Sequence, residues 1–256
     1  MPHYDLDDKV VLVTGGSSGI GRAAALTCAA GGARVVVCGT NEARLAATVE
    51  EITGAGGKAL PRRMDVTSSA DVADAVAFAV DAFGSLDGAF NSAGIAGVPF
   101  KPIIEVEEAE FDRVIDVNLK GVWLSMKHQV AQMVRQGGDG SIVNASSIAG
   151  LVGSRISNAY SASKHGVVGL SRSVVLEYAD QGLRVNAVCP GWVETAMTDP
   201  VTHGKPEVLA QIVARHPIGR AGQASEVGEL VAWLLSDAAS FVTGAAIPID
   251  GGLTAQ

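Results

Sequence analysis

The stretch Val10-Val11-Leu12-Val13-Thr14-Gly15-Gly16-Ser17-Ser18-Gly19-Ile20-Gly21 decides how this chain must be read. Its first four residues form an unbroken aliphatic run, as expected of a strand buried on both faces. A glycine-rich turn follows, and then an alanine-rich, helix-like run from Arg22 to Ala30. Glycines let a turn come close to an anion, and the helix start behind it offers free N–H groups and a positive dipole. A strand, a glycine turn and a helix in the first βα unit together predict a pyrophosphate site for a dinucleotide.

The same alternation continues outward from this unit. Further strands are predicted at Arg34–Cys38, Ala89–Asn91 with its apolar lead-in, Ser141–Ala145, Leu183–Cys189 and Ala246–Ile249, and the first at Lys9–Thr14. Between Ser69 and Phe83, Val72, Val76, Ala79 and Phe83 fall on one helical face. Strands alternating with helices imply parallel pairing through crossovers. The expectation is an α/β fold, a Rossmann-type doubly wound parallel sheet with helices on both faces, formed as one domain over residues 1–256. The stretch 192–217 carries Pro200, Gly204, Pro206 and Pro217 with weak periodicity, and is expected to be a substrate lid.

Composition narrows the function. The chain has 256 residues, 48% of them apolar and 18% charged, which suits a packed domain and not a disordered polyelectrolyte. A net charge of −8 argues against nucleic acid as a partner. Cys28, Cys38 and Cys189 are widely spaced in apolar runs, so buried thiols are expected, with no metal site and no disulfide framework. No run approaches the ~18 apolar residues of a membrane span, and residues 1–8 lack the pattern of an export signal. No membrane partner is expected, and the expected location is the cytoplasm.

Tyr160 and Lys164 stand four residues apart in a helix-like run and so share a face. A free phenol has a pKa of ~10 and is a poor acid–base group at neutral pH, but a neighbouring cation stabilises the phenolate. The pair makes sense as a proton donor to a ketone or acceptor from an alcohol. Ser147 follows the strand Ser141–Ala145, at the sheet edge where α/β folds bind ligands, and could bond the substrate oxygen; its neighbour Ser146 is the rival candidate. Asn118 falls within an expected helix, Phe111–Val122, where asparagine is a mediocre former.

The spacing Thr14-Gly15-x-x-x-Gly19-x-Gly21 resembles the glycine fingerprint of the classical short-chain dehydrogenase/reductase family, and Asn118, Ser147, Tyr160 and Lys164 resemble its catalytic tetrad in order and spacing. Asp65-Val66, Asn91-Ser92-Ala93-Gly94, Pro190-Gly191 to Thr195, and Asp250-Gly251-Gly252 also match family segments, so the likeness spans roughly residues 8–252. The resemblance implies a strand order of 3-2-1-4-5-6-7 and hydride transfer between NAD(P)(H) and a carbonyl or secondary alcohol. Tyr160 would be the acid/base, and Ser147 would position and polarise the carbonyl. Lys164 would lower the tyrosine pKa and hold the nicotinamide ribose, while Asn118 would anchor a relay water. Cofactor contacts are implied at Gly15, Ser17, Ser18, Gly19, Ile20, Gly21, Thr40, Asp65, Val66, Asn91, Ala93, Gly94, Tyr160, Lys164, Pro190, Gly191, Val193 and Thr195. A homotetramer is implied as well.

One departure concerns the cofactor. The second strand ends Cys38-Gly39-Thr40-Asn41, with neither an acid to bind ribose hydroxyls nor an arginine to bind a 2′-phosphate. NAD and NADP are both expected to bind, with a slight lean to NADP through Arg44. Ile95, Ile148, Val152, Trp192 and Met197 are expected to line an apolar pocket for a neutral cyclic or aryl substrate, with Arg155 close enough in sequence to matter. The competing reading is a non-catalytic dinucleotide-binding or redox-sensing protein on the same fold. An enoyl reductase would space its tyrosine and lysine more widely, and a sugar epimerase would need a larger substrate part.

Overall fold

The computed structural model describes residues 4–202 and 205–256, without the side chains of 200 and 201. Seven strands form one sheet: β1 Val10–Thr14, β2 Arg34–Gly39, β3 Lys58–Arg63, β4 Gly88–Asn91, β5 Ser141–Ala145, β6 Arg184–Pro190 and β7 Ala246–Ile249. Their order is β3-β2-β1-β4-β5-β6-β7, and every neighbouring pair is parallel. The doubly wound sheet and strand order expected from the sequence are confirmed. The order reverses beside β1, between β2 and β4, and a crevice opens there at the carboxyl ends of the strands.

Strand alternation explains the two layers. Val11, Val13, Val35 and Val37 face one side and pack with α1 (Gly19–Ala30), α2 (Glu42–Gly54) and α9 (Ala224–Leu235). Val10, Leu12, Val36 and Cys38 face the other and pack with α3 (Ser69–Phe83), α5 (Gly121–Arg135) and α6 (Asn158–Tyr178). Period-2 burial on both faces is why these runs are apolar throughout. Leu12 is 1% exposed, so cutting it back to alanine should cost ~2–5 kcal/mol.

Two elements differ from the expectation. Strand β3, Lys-Ala-Leu-Pro-Arg-Arg, carries no apolar run because it is the sheet edge, where charges and a proline are tolerated. The helix expected over 111–122 is broken into α4 (Glu108–Ile115), a π turn at Asp116–Lys120 and then α5, with the Gly121 N–H donating to the Asp116 carbonyl. The stretch 192–217 carries two short helices, α7 (Asp199–Thr202) and α8 (Pro206–Val213). Among the described residues no helix is long and apolar enough to cross a membrane.

Candidate active site

The glycine turn sits in the crevice. Gly15 has φ +66°, and a Cβ there would lie 2.8 Å from the Ala93 backbone; at Gly21 a Cβ would lie 2.3 Å from the Gly15 carbonyl oxygen. Side chains at either position would push the turn off the β4 loop. Thr14 completes that junction, its Oγ1 accepting from the N–H groups of Ser92 (3.1 Å) and Ala93 (3.2 Å). Ser18, at the N-cap of α1, makes no side-chain cap bond, and the first turn holds no acid, so the helix start meets the cleft with backbone N–H groups.

The cleft has a volume of about 850 Å³, and Gly15, Ser17–Gly21, Thr40, Asp65, Val66, Ala93, Gly94, Tyr160, Lys164, Pro190 and Thr195 are all on its walls. Thr195 closes it opposite the turn, its Cγ2 lying 3.3 Å from where a Gly19 Cβ would stand. This elongated, backbone-lined cleft fits a nicotinamide dinucleotide.

Three of the expected contacts are not on that wall. Asn91 is buried, its Nδ2 donating to Gln129 Oε1 (3.0 Å) and Asn144 Oδ1 (2.9 Å) and its Oδ1 accepting from Gln129 Nε2 (2.9 Å). Its amide is consumed inside the core, and Ser92 takes its place on the cleft wall. Val193 turns its side chain into the core beside α9. Gly191 faces a second, neighbouring cavity.

That second cavity holds about 490 Å³ and is lined by Ile148, Val152, Trp192 and Met197, as expected, together with Ser147 and Phe100. Ile95 is not there; it lies on the dinucleotide cleft. Arg155 does reach the cavity, joined by Arg215 and His216, which no motif singles out.

The two cavities meet at Tyr160. Ser157 caps α6, its Oγ accepting from the Tyr160 N–H at 3.3 Å, and this sets the tyrosine in the first turn. Burial pushes the phenol above its usual 10.0, while a hydrogen bond with Ser147 acts against that rise. Lys164 lies 5.3 Å from the ring centroid of Tyr160, over the face and not on the hydroxyl. Its Nζ donates to the Ala145 carbonyl at 2.7 Å, and burial lowers its pKa to about 8. Burial therefore sets the direction of the tyrosine's shift.

The two neighbouring serines are placed differently. Ser146 is buried, and its Oγ donates to the Lys164 carbonyl at 2.9 Å, holding the helix. Ser147 Oγ accepts from the Ala149 N–H at 3.1 Å and faces the second cavity. Asn118 sits in the π turn with its Oδ1 accepting from the Ile95 N–H (2.8 Å) and its Nδ2 donating to the Ile95 carbonyl (2.9 Å) and Ser163 Oγ (3.3 Å). Both ends of its amide are engaged, and the side chain fastens the Ile95 segment. All three cysteines are buried and free; burial pushes Cys28 and Cys38 up to about 12. Among the described residues no group of histidines, cysteines and carboxylates could hold a metal.

A parallel sheet with a glycine-turn cleft opening onto a tyrosine and lysine defines a dinucleotide-dependent oxidoreductase. Comparison with known proteins gives the family. Residues 15–254 match a family model described as Enoyl-(Acyl carrier protein) reductase. The chain is 44% identical over 253 residues to cyclohexanol dehydrogenase of Acinetobacter sp. (strain SE19), covering 98% of this chain and 96% of that one. It is 45% identical over 249 residues to cis-4-hydroxycyclohexanecarboxylate dehydrogenase of Sinomonas cyclohexanicum, covering 97% of each. The crystal structure of levodione reductase superposes with a TM-score of 0.93 at 38% identity, covering 97% of this chain and 98% of that one. The chain belongs to the short-chain dehydrogenase/reductase family, and it is an NAD(P)-dependent oxidoreductase of alcohols and ketones.

Proposed function

We propose that the protein interconverts a neutral, largely apolar cyclic or aryl ketone and its secondary alcohol, with Tyr160 as acid/base. One observation carries the reading: among the described residues, Tyr160 is the only titratable one on the walls of both the dinucleotide cleft and the apolar cavity. The dinucleotide supplies or accepts the hydride. In reduction the Tyr160 hydroxyl donates its proton to the substrate oxygen as negative charge develops there. Ser147 accepts from the Ala149 N–H, and its own hydrogen, directed toward Tyr160, can turn to the same substrate oxygen. Lys164 uses one ammonium hydrogen on Ala145 and keeps two for the nicotinamide ribose. In oxidation its charge over the ring favours the phenolate that receives the alcohol proton. Asn118 holds the wall of the cleft through Ile95, and the segment 192–217 covers the substrate.

Tyr160→Phe is the direct test. It keeps the ring and removes the proton, so kcat should fall by ~10²–10⁴ with dinucleotide affinity nearly unchanged. Near-normal kcat in this variant would dismiss the mechanism. A panel of cyclic and aryl ketones against carboxylate-bearing analogues addresses the substrate. A strong preference for anions, lost in Arg155→Ala, would overturn the neutral class.

Both NAD and NADP are proposed as cofactors, with a slight lean to NADP. Thr40 brings no charge to the ribose end, Asn41 uses its Oδ1 to cap α2 by accepting from the Arg44 N–H (3.0 Å), and Arg44 is exposed nearby. A kcat/KM ratio above ~1,000 either way, equivalent to ~4 kcal/mol, would contradict this. We also propose a homotetramer in the cytoplasm. Phe111 and Trp123 are 40% and 45% exposed on α4 and α5, and all three thiols are buried and unpaired. Light scattering that shows a monomer at micromolar concentration would refute the assembly, and recovery in an exported fraction would refute the location.

A further inference from the structure

His216 follows α8 in the lid and is 4% exposed. Its ring lies on the wall between the substrate cavity and a smaller pocket of about 150 Å³ behind it. Its Nδ1 is 3.0 Å from the Ile212 carbonyl, which can only accept, so Nδ1 carries the hydrogen. Its Nε2 is 3.1 Å from the Trp192 N–H, which can only donate, so Nε2 presents its lone pair. The two partners fix one neutral tautomer, and each belongs to a different part of the site. Ile212 is in lid helix α8. Trp192 follows Pro190-Gly191, where the dinucleotide cleft gives way to the substrate cavity.

The contact is close on every side. A Cβ on Gly191 would lie 3.0 Å from His216 Nε2 and 2.9 Å from the Asp250 Cα. The Gly191 N–H donates to the Ile249 carbonyl at 3.1 Å, and the Ile218 N–H donates to the Gly251 carbonyl at 3.1 Å. The end of β6, the end of β7 and the lid therefore converge on one imidazole. A displacement of ~1 Å at a positioning group can cost ~10²-fold in rate. The Trp192 backbone is the point at which such a shift would move the substrate wall and the edge of the dinucleotide cleft together.

We propose that His216 is a positioning residue that couples the substrate lid to the Pro190–Trp192 turn, so that each is ordered only when the other is. This rests on the oxidoreductase reading, but its test does not require turnover. Asparagine can place an amide nitrogen near the position of Nδ1, and glutamine an amide oxygen near that of Nε2. H216N therefore keeps the bond to the lid and loses the acceptor for Trp192, while H216Q does the reverse. In H216N, NAD(P)H should bind at least ~5-fold more weakly by fluorescence titration, and kcat should fall ~10-fold or more. In H216Q, which frees the lid, amide exchange across residues 206–213 should quicken, substrate KM should rise ~5-fold, and NAD(P)H should again bind at least ~5-fold more weakly.

Exchange in wild type provides a control that needs no variant to fold: added dinucleotide should slow exchange across 206–213. Effects confined to one side in each variant, dinucleotide affinity alone in H216N and the lid alone in H216Q, would overturn the coupling and leave His216 as two separate anchors. So would unchanged affinity in H216N, or a wild-type lid indifferent to the dinucleotide. Absence of ketone turnover in wild type, with these binding and exchange effects intact, would instead reject the proposed function and retain the coupling.

Discussion

Replacing Asn91 with alanine separates structural from cofactor roles at a position whose motif suggests the latter. Asn91 is 1% exposed at the end of β4. It exchanges two hydrogen bonds with Gln129, at 3.0 and 2.9 Å, and donates a third to Asn144 at 2.9 Å; Asn144 in turn donates to Ser171 Oγ at 2.9 Å. The substitution strands the Gln129 amide and the Asn144 carbonyl oxygen, in residues that are both 0% exposed. A buried polar group left without a partner costs ~1–3 kcal/mol, so these two amount to about 2–6 kcal/mol, nearer the lower end if water enters the space. For a chain of this size ~1 kcal/mol moves Tm by ~2–4 °C, which gives an expected fall of about 4–24 °C. The assay is a thermal melt followed by circular dichroism, paired with an NAD(P)H fluorescence titration at a temperature where the variant is folded. Affinity should stay within about threefold, because the side chain does not reach the cleft. A Tm within ~2 °C of wild type together with a tenfold loss of affinity would refute this assignment and return Asn91 to the cofactor.

The other expectations concern the turn and the lysine. Gly15→Ala should weaken dinucleotide binding at least tenfold, since φ is +66° and the new methyl would stand 2.8 Å from the Ala93 backbone; an unchanged dissociation constant would show that the turn does not approach the pyrophosphate. Lys164 has a folded pKa of about 8, well below its usual 10.5, so its ammonium is fully present only below that value. Dinucleotide affinity should therefore hold below pH ~8 and weaken by up to tenfold per unit above it, with the slope absent in Lys164→Met; a pH-independent wild type would mean that the ammonium is not a ligand. In the oxidising direction the rate should climb with pH, because the phenol sits above 10.0 in the free protein and must lose its proton; a rate flat from pH 7 to 10 would contradict that.

Much of this protein is legible in its sequence because burial leaves a local mark. β1 and β2 read as continuous apolar runs since both their faces are covered, and α3 shows its buried face at Val72, Val76 and Ala79. Strand β3 leaves no such mark: at the edge only Ala59 is buried, and Pro61 breaks the pattern. The π turn at Asp116–Lys120 was invisible for a different reason. Helical spacing and propensity do not distinguish an i→i+5 bond from i→i+4, so Asn118 read as one misplaced asparagine in an ordinary helix. Arg215 and His216 follow α8, whose Glu-Val-Leu-Ala-Gln-Ile-Val core does carry helical spacing, but the flanking prolines and glycines mask it.

What remains hidden is long-range and electrostatic. Asn91, Gln129, Asn144 and Ser171 are scattered over two strands and two helices and become a network only once β4, β5, α5 and α6 are assembled. A motif can say that an asparagine belongs after β4, but it cannot say whether the amide points out to a ligand or in to a partner. The same limit holds at Tyr160 and Lys164. Their spacing puts them on one face, and from charge alone the cation should draw the tyrosine down. Burial acts on both in opposite senses, raising the acid and lowering the base. At neutral pH a phenol raised by burial keeps its proton. That is the state required to give a proton to a ketone, whereas oxidation of an alcohol must first remove the phenolic proton against the cost of burying its charge.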